Sequence, residues 1–201
     1  ELEYKDNYFD IIELSTNRPL YGSNSLEISE KITQNITKSK VSYSFEGVPV
    51  ANYSQELIDT IEDLDAIPTI SHYYREQKAQ EGTMIEIEKF VLVGVGLGLH
   101  IPFIHNKIYP KYYMIIEDNI EIFRLSLFTT KYYELAIAAE LSFAIAQEHN
   151  EFLDSFDTFL DSMYFYNRFI KYFHFSFHSK EKLKYIRNAL ASQDFFVYTY
   201  K

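Results

Sequence analysis

Cysteine is absent from the 201 residues, and so is tryptophan. No disulfide and no thiolate metal site can form, which agrees with a reducing compartment and sets the expectation of a cytoplasmic protein. Basic residues are few: 19 Lys and Arg face 29 Asp and Glu, for a net charge of −10. That balance argues against nucleic acid and against an anionic membrane surface as partners. Long apolar runs are also missing. The longest, Phe90–Ile104, is broken by His100 and three glycines and is too short to span a bilayer. No basic-apolar leader is read at the start of the chain. What is plentiful is aromatic, 18 Tyr and 17 Phe. Such a content suits an aromatic core, or a Tyr/Phe-rich partner surface. A chain of this length buries about 70% of its unfolded surface and needs no staples. It is one large domain or a domain with an added layer.

Glycine is scarce as well, and its placement is informative. Of six glycines, three stand at alternate positions, Gly94, Gly96 and Gly98. Phe90–Val93 just before them is an unbroken apolar run, as expected of a strand buried on both faces. His100–Tyr109 allows two or three turns of helix, with Pro102 tolerated in its first turn and Pro110 as a stop. Tyr112–Ile116 reads as a second buried strand that ends in Glu117 and Asp118. The pattern predicts an α/β, Rossmann-like, mainly parallel sheet with flanking helices.

Two readings of the glycines follow. In one, the turn is a nucleotide cradle: backbone N–H groups at the helix opening face an anion, and the Glu117 carboxylate accepts from ribose hydroxyls. Gly94, Gly96, Gly98 and Glu117 are then the candidate cofactor-binding residues. The spacing is G-x-G-x-G, as in S-adenosylmethionine enzymes. In the other, the glycines only let the helix lie close on the sheet, and the site is vestigial. Asp118 has a local role on offer, a capping box with Glu121.

The run V-G-V-G-L-G-L-H-I-P-F-I, followed by Y-M-I-I-E-D-N-I-E-I-F-R-L-S-L-F, resembles the motility-associated factor family, the flagellin glycosyltransferases of flagellated bacteria. The likeness is strongest over Phe90–Phe128, including Glu117-Asp118-Asn119-Ile120-Glu121-Ile122-Phe123, and looser at Asn167–Phe177 and Ala189–Gln193. It implies the amino-terminal region of such an enzyme, without the sugar-transferring domain and its Gly-Pro-Ser-type motif. It further implies a non-catalytic scaffolding, assembly or acceptor-contact role, no cofactor of its own, and flagellin and the rest of the parent chain as partners. A homo-oligomer is compatible with it. The competing classes are a methyltransferase-like enzyme using S-adenosylmethionine and a nucleotide-binding regulatory domain.

The remainder divides at Gly82 into a small α+β layer, residues 1–82, and a Rossmann-like domain, residues 83–201. In the first part Tyr8–Leu14 reads as a strand, and Leu20-Tyr21 as its return. Ser25–Lys38 reads as a helix with its stripe at Leu26, Ile28, Ile32 and Ile36. Val41–Phe45 and Val48–Ala51 read as strands, and Ser54 as the cap of a further helix. Ser71–Gln80 is expected to be helical. In the second part Asn119–Thr130 is an amphipathic helix and Leu141–Ala146 the third parallel strand. Asn150 is expected to cap a long helix reaching Tyr172, although Phe173, Phe175 and Phe177 also alternate as a strand would. Ser179 opens a last helix, and Phe195–Tyr200 reads as a strand or a connection.

Other chemistry is thinly represented. His174 and His178 are four apart, but no third metal ligand is apparent and the pair reads as surface or partly buried histidines. His100 stands where it could touch a phosphate or cap the helix. Arg124 is expected to pair with Glu121 or Asp118. No G-x-S-x-G elbow exists, and the third strand runs into Gln147, which does not titrate. No catalytic residue and no metal ligand is assigned.

Overall fold

The computed structural model describes residues 1–34, 36–37, 87–163, 166–167, 170–175 and 180–191. The boundary at Gly82, the elements expected over 41–80, His178 and Phe195–Tyr200 lie outside these. Three short strands open the chain: β1 (Leu2–Lys5), β2 (Tyr8–Glu13) and β3 (Arg18–Pro19). They pair as an antiparallel sheet in the order β1-β2-β3, so the return strand precedes Leu20-Tyr21. Helix α1 (Ser25–Thr33) follows. Its N-cap is Asn24, whose side chain accepts from the Leu26 and Glu27 N–H groups.

The second sheet has four strands: β4 (Lys89–Val93), β5 (Tyr112–Glu117), β6 (Glu140–Ile145) and β7 (Ile170–His174). All pairings are parallel, in the order β6-β5-β4-β7. Between β4 and β5 lies α2 (His100–Ile108); between β5 and β6 lie α3 (Ile120–Thr129) and α4 (Tyr132–Ala138). α5 (His149–Asp161) leads to β7, and α6 (Lys180–Ala191) follows it. The fold is α/β and Rossmann-like, a parallel sheet between two helical layers, with the small antiparallel sheet added.

Strand alternation sorts the core into two layers. Phe90 and Leu92 of β4 and Tyr113 and Ile115 of β5 meet Ile101, Ile104 and Ile108 of α2 and Leu135 of α4. Val91, Val93, Met114 and Ile116 point the other way, onto Phe152, Phe156 and Phe159 of α5 and Leu183 and Ile186 of α6. Both faces are covered, which is why β4 is apolar throughout after Lys89 and fully buried.

Several expectations need correction. The helix opened near Asn150 does not reach Tyr172. It starts at His149, with Glu148 at the N-cap position and no side-chain cap, and stops at Asp161. Residues 170–174 form β7 instead, registered on β4 from Lys89↔Ile170 to Val93↔His174. The i, i+4 aromatic spacing that suggested a helix is outweighed by the ladder available beside β4, whose other edge β5 already occupies. α1 buries Ser25, Ser29 and Thr33, whereas Leu26 is half exposed. Small polar residues let α1 approach α2, where Lys107 Nζ donates to the Thr33 carbonyl at 2.6 Å and the Gln34 carbonyl at 3.2 Å. The cap of α3 is Asn119, not Asp118; its side chain accepts from Glu121 N at 2.9 Å and Ile122 N at 3.4 Å.

A buried lysine ties the layers together. Lys89 Nζ donates to the Phe159 carbonyl (2.6 Å), the Leu160 carbonyl (3.2 Å), the Ser162 carbonyl and Asn167 Oδ1 (2.7 Å). It thereby serves the carbonyls that the end of α5 leaves without intrahelical donors. Burial pushes the Lys89 ammonium down to about 7, against the attraction of Asp161.

Candidate functional site

In an open parallel sheet, ligands bind outside the carboxyl ends of the strands where the strand order reverses. Here the chain builds β4, β5 and β6 in one direction and then returns to place β7 on the other side of β4. The crevice therefore lies above the ends of β4 and β7, and the glycine turn forms its floor.

The turn has the backbone that glycine permits. Gly96 has φ +53° and Gly98 φ +72°, both in the left-handed region that side chains avoid. A Cβ on Gly96 would lie 2.6 Å from Tyr21 Oη and 3.3 Å from Phe175 Cε1. A Cβ on Gly98 would overlap Thr130 Oγ1. The glycines thus answer both to conformation and to space, and what occupies the space is protein.

The turn's polar groups are engaged in the same way. Glu117, 1% exposed, accepts from Val95 N through Oε2 and from Asn119 N through Oε1, each at 3.0 Å. Tyr21 Oη accepts from Leu97 N at 2.9 Å. Gly94 N donates to the Ile116 carbonyl and Gly98 N to the Val95 carbonyl. The Leu97 carbonyl accepts from Thr129 Oγ1 at 2.6 Å and Thr130 Oγ1 at 2.9 Å. Glu117 therefore lies against the turn of Gly94, Gly96 and Gly98, with a carboxylate on the Val95 amide where a ligand anion would stand in a cradle.

Aromatic rings close the crevice. Phe175, directly after β7, is buried, and its N–H bonds the Val93 carbonyl. Its ring lies 5.8 Å from that of Tyr21 and stacks on His100 at 5.1 Å. His100 neither caps α2, whose N-cap is Leu99, nor faces an open space: its ring is fully buried beside Phe173 and Phe175. Burial pushes its imidazole down to about 3, opposed by a backbone interaction with Gly94. Burial likewise pushes the Tyr21 hydroxyl up to about 12, partly offset by its bond to Leu97. Tyr112 and Tyr113 are elsewhere: Tyr112 stacks on Tyr166, and Tyr113 Oη lies 3.0 Å from His105 Nδ1.

Around the rim, Asp118 pairs with Lys182 of α6, which also donates to the Gln147 carbonyl at 3.1 Å. Arg124 pairs with Glu121 at 2.8 Å, as expected. His174 lies on β7 rather than on a helix. No group of three His, Asp or Glu suited to a metal occurs among the described residues. Sequence reasoning missed Tyr21, Phe175 and Lys182. Tyr21 stands 76 residues from the Leu97 amide it serves, and Lys182 stands 64 residues from Asp118. No local pattern signals either pairing; only the return of β7 and the docking of the first strands place these side chains here.

The family profile described as glycosyltransferase Maf N-terminal domain matches residues 2–196. The chain belongs to that family. A solved relative agrees with the Maf fold seen here. The Maf glycosyltransferase from Magnetospirillum magneticum AMB-1 superposes with a TM-score of 0.57 at 16% identity, over 80% of this chain. The match spans 25% of that longer chain. No curated protein matches this Maf domain. Among its described residues, no helix is long and apolar enough to cross a membrane.

Proposed function

We propose that this Maf domain is a non-catalytic part of a flagellin glycosyltransferase, with a scaffolding, assembly or acceptor-contact role. The observation that carries the reading is the engagement of the glycine turn by the protein's own groups. The Val95 and Leu97 amides, which could have met a phosphate, bond Glu117 and Tyr21. A nucleotide would have to displace a buried carboxylate and a partly buried ring. Sugar transfer then belongs to another part of the parent enzyme, and this region needs no cofactor. Flagellin and the remainder of the enzyme are the expected partners, in the cytoplasm, and a strongly acidic surface is no match for nucleic acid.

Calorimetry tests the reading. The 201-residue chain should bind neither S-adenosylmethionine, NAD nor a nucleotide sugar more tightly than millimolar. A micromolar isotherm abolished by Glu117→Ala would reject the scaffold in favour of a ligand-binding domain. Transfer of sugar to flagellin by the chain alone would reject it in favour of an enzyme.

A further inference from the structure

Strand β6 has β5 as its neighbour and, among the described residues, no strand beyond it. Glu140 N and Ala146 N donate to the Lys111 and Glu117 carbonyls on the β5 side, at 2.8 Å each. The residues between them that alternate with this set, Leu141, Phe143 and Ile145, therefore turn their N–H and C=O groups outward. Edges of this kind are ordinarily blunted by Lys, Pro, a bulge or a covering loop. β6, E-L-S-F-A-I, has no Lys and no Pro, and its one charge, Glu140, stands at the first position. Phe143 is 40% exposed, although its ring lies 5.7 Å from that of Phe123 and 6.0 Å from that of Tyr132. The helices that precede β6 leave Phe128, Tyr133 and Ile137 exposed as well. Between these, Lys131 and Glu134 neutralise one another at 2.9 Å.

We propose that the β6 edge pairs with β6 of a second copy of this chain, about a two-fold axis at Phe143, so that two parallel sheets join into one. A strand that meets itself across a two-fold axis runs antiparallel, and its contact is self-complementary. Outward groups must face outward groups. That selects Phe143 opposite its own counterpart and Leu141 opposite Ile145 of the second copy, each pair exchanging both N–H···O bonds. Charge favours this occupant. Two chains of net charge −10 repel one another, so self-association needs a contact where carboxylates do not face each other. The register supplies it: Glu140 falls opposite Ala146 of the second copy, away from the other Glu140, and the exposed side chains beside the edge are apolar or paired. The glycine turn takes no part. A failed dimer therefore leaves the scaffold reading standing, and a micromolar nucleotide isotherm would leave the dimer standing.

Sedimentation of the 201-residue chain tests the pairing. At concentrations on the order of 10 μM it should show twice the mass of one chain. A monomer there overturns the proposal, and flagellin binding by that monomer, lost in Ile145→Pro, would give the edge a different occupant. Ile145→Pro removes one outward N–H and spares the β5 ladder, so it should raise the dimer dissociation constant on the order of 100-fold. An unchanged constant overturns the proposal. The chain has no cysteine, so single introduced thiols report the register. Phe143→Cys sets its Cα about 5.5 Å from its counterpart, inside the span of roughly 4.4–6.8 Å that a disulfide bridges, and mild oxidation should cross-link the dimer. Glu140→Cys stands about 20 Å from its counterpart and should stay uncross-linked. Cross-linking through Glu140→Cys, or none through Phe143→Cys in a chain that still sediments as a dimer, also overturns the proposal.

Discussion

The contact between Tyr21 and Gly96 can be isolated with a double-mutant cycle. Gly96→Ala places a side chain at φ +53° and sets its Cβ 2.6 Å from Tyr21 Oη. The left-handed conformation costs about 1–2 kcal/mol. The overlap adds about 1–3 kcal/mol, because Tyr21 is pinned by its bond to Leu97 and cannot simply rotate away. Tyr21→Phe leaves the Leu97 N–H without its acceptor, at a cost of about 1–2 kcal/mol. In the double variant the overlapping oxygen is gone, and the nearest atoms to the new Cβ become Phe175 Cε1 at 3.3 Å and Cζ of residue 21 at 3.5 Å. The double variant should therefore be more stable than the sum of the two losses predicts, by about 1–2 kcal/mol. Urea denaturation at constant m-value measures each leg. Additivity within about 0.5 kcal/mol would mean that the hydroxyl does not lie over the turn, and the account of the closed crevice would fail.

Acid should destabilise the protein through His100, whose imidazole is held at about 3. In an unfolded chain it would titrate near about 6.5, so the unfolded state binds the extra proton and stability falls by roughly 1.4 kcal/mol per pH unit between those values. His100→Phe preserves the ring stack and should flatten that limb by the same slope; an unchanged slope would show that the imidazole is hydrated. Lys89, held at about 7, works in the basic range: the unfolded chain retains its proton up to about 10.4, so Lys89 makes stability rise as pH climbs from about 7 to 9. Lys89→Met should remove that rise, as read from urea midpoints across the range, and a rise of equal size in both proteins would refute the assignment. Phe156 is fully buried, with ring centroids 5.7 Å from Phe152 and 6.2 Å from Tyr185. Phe156→Ala should cost about 3–5 kcal/mol in the same assay, and a loss below about 1 kcal/mol would mean that α5 is not packed as described.

The central unit was legible in the chain itself because its signals are local. An apolar run, glycines where the backbone must turn, a helix closed by Pro110 and a second apolar run together dictate β4, α2 and β5. Each depends on neighbours within a few residues. The likeness to the motility-associated factor family rested on the same stretch. Caps were legible only to within a residue: Asp118 and Asn119 can both cap, and the choice fell to Asn119 once Lys182, 64 residues away, took Asp118. β7 was decided by tertiary structure. Ile170–His174 has aromatic spacing that serves helix or strand, and the open edge of β4 settled it through ladder bonds that no local pattern encodes. The state of the glycine turn was decided at the same level. Gly94, Gly96, Gly98 and Glu117 write a cradle in one dimension, and the residues that fill it, Tyr21 and Phe175, arrive from opposite ends of the chain. Alternation and spacing report what a residue can do beside its neighbours; whether a crevice is open depends on which distant side chains the fold delivers to it.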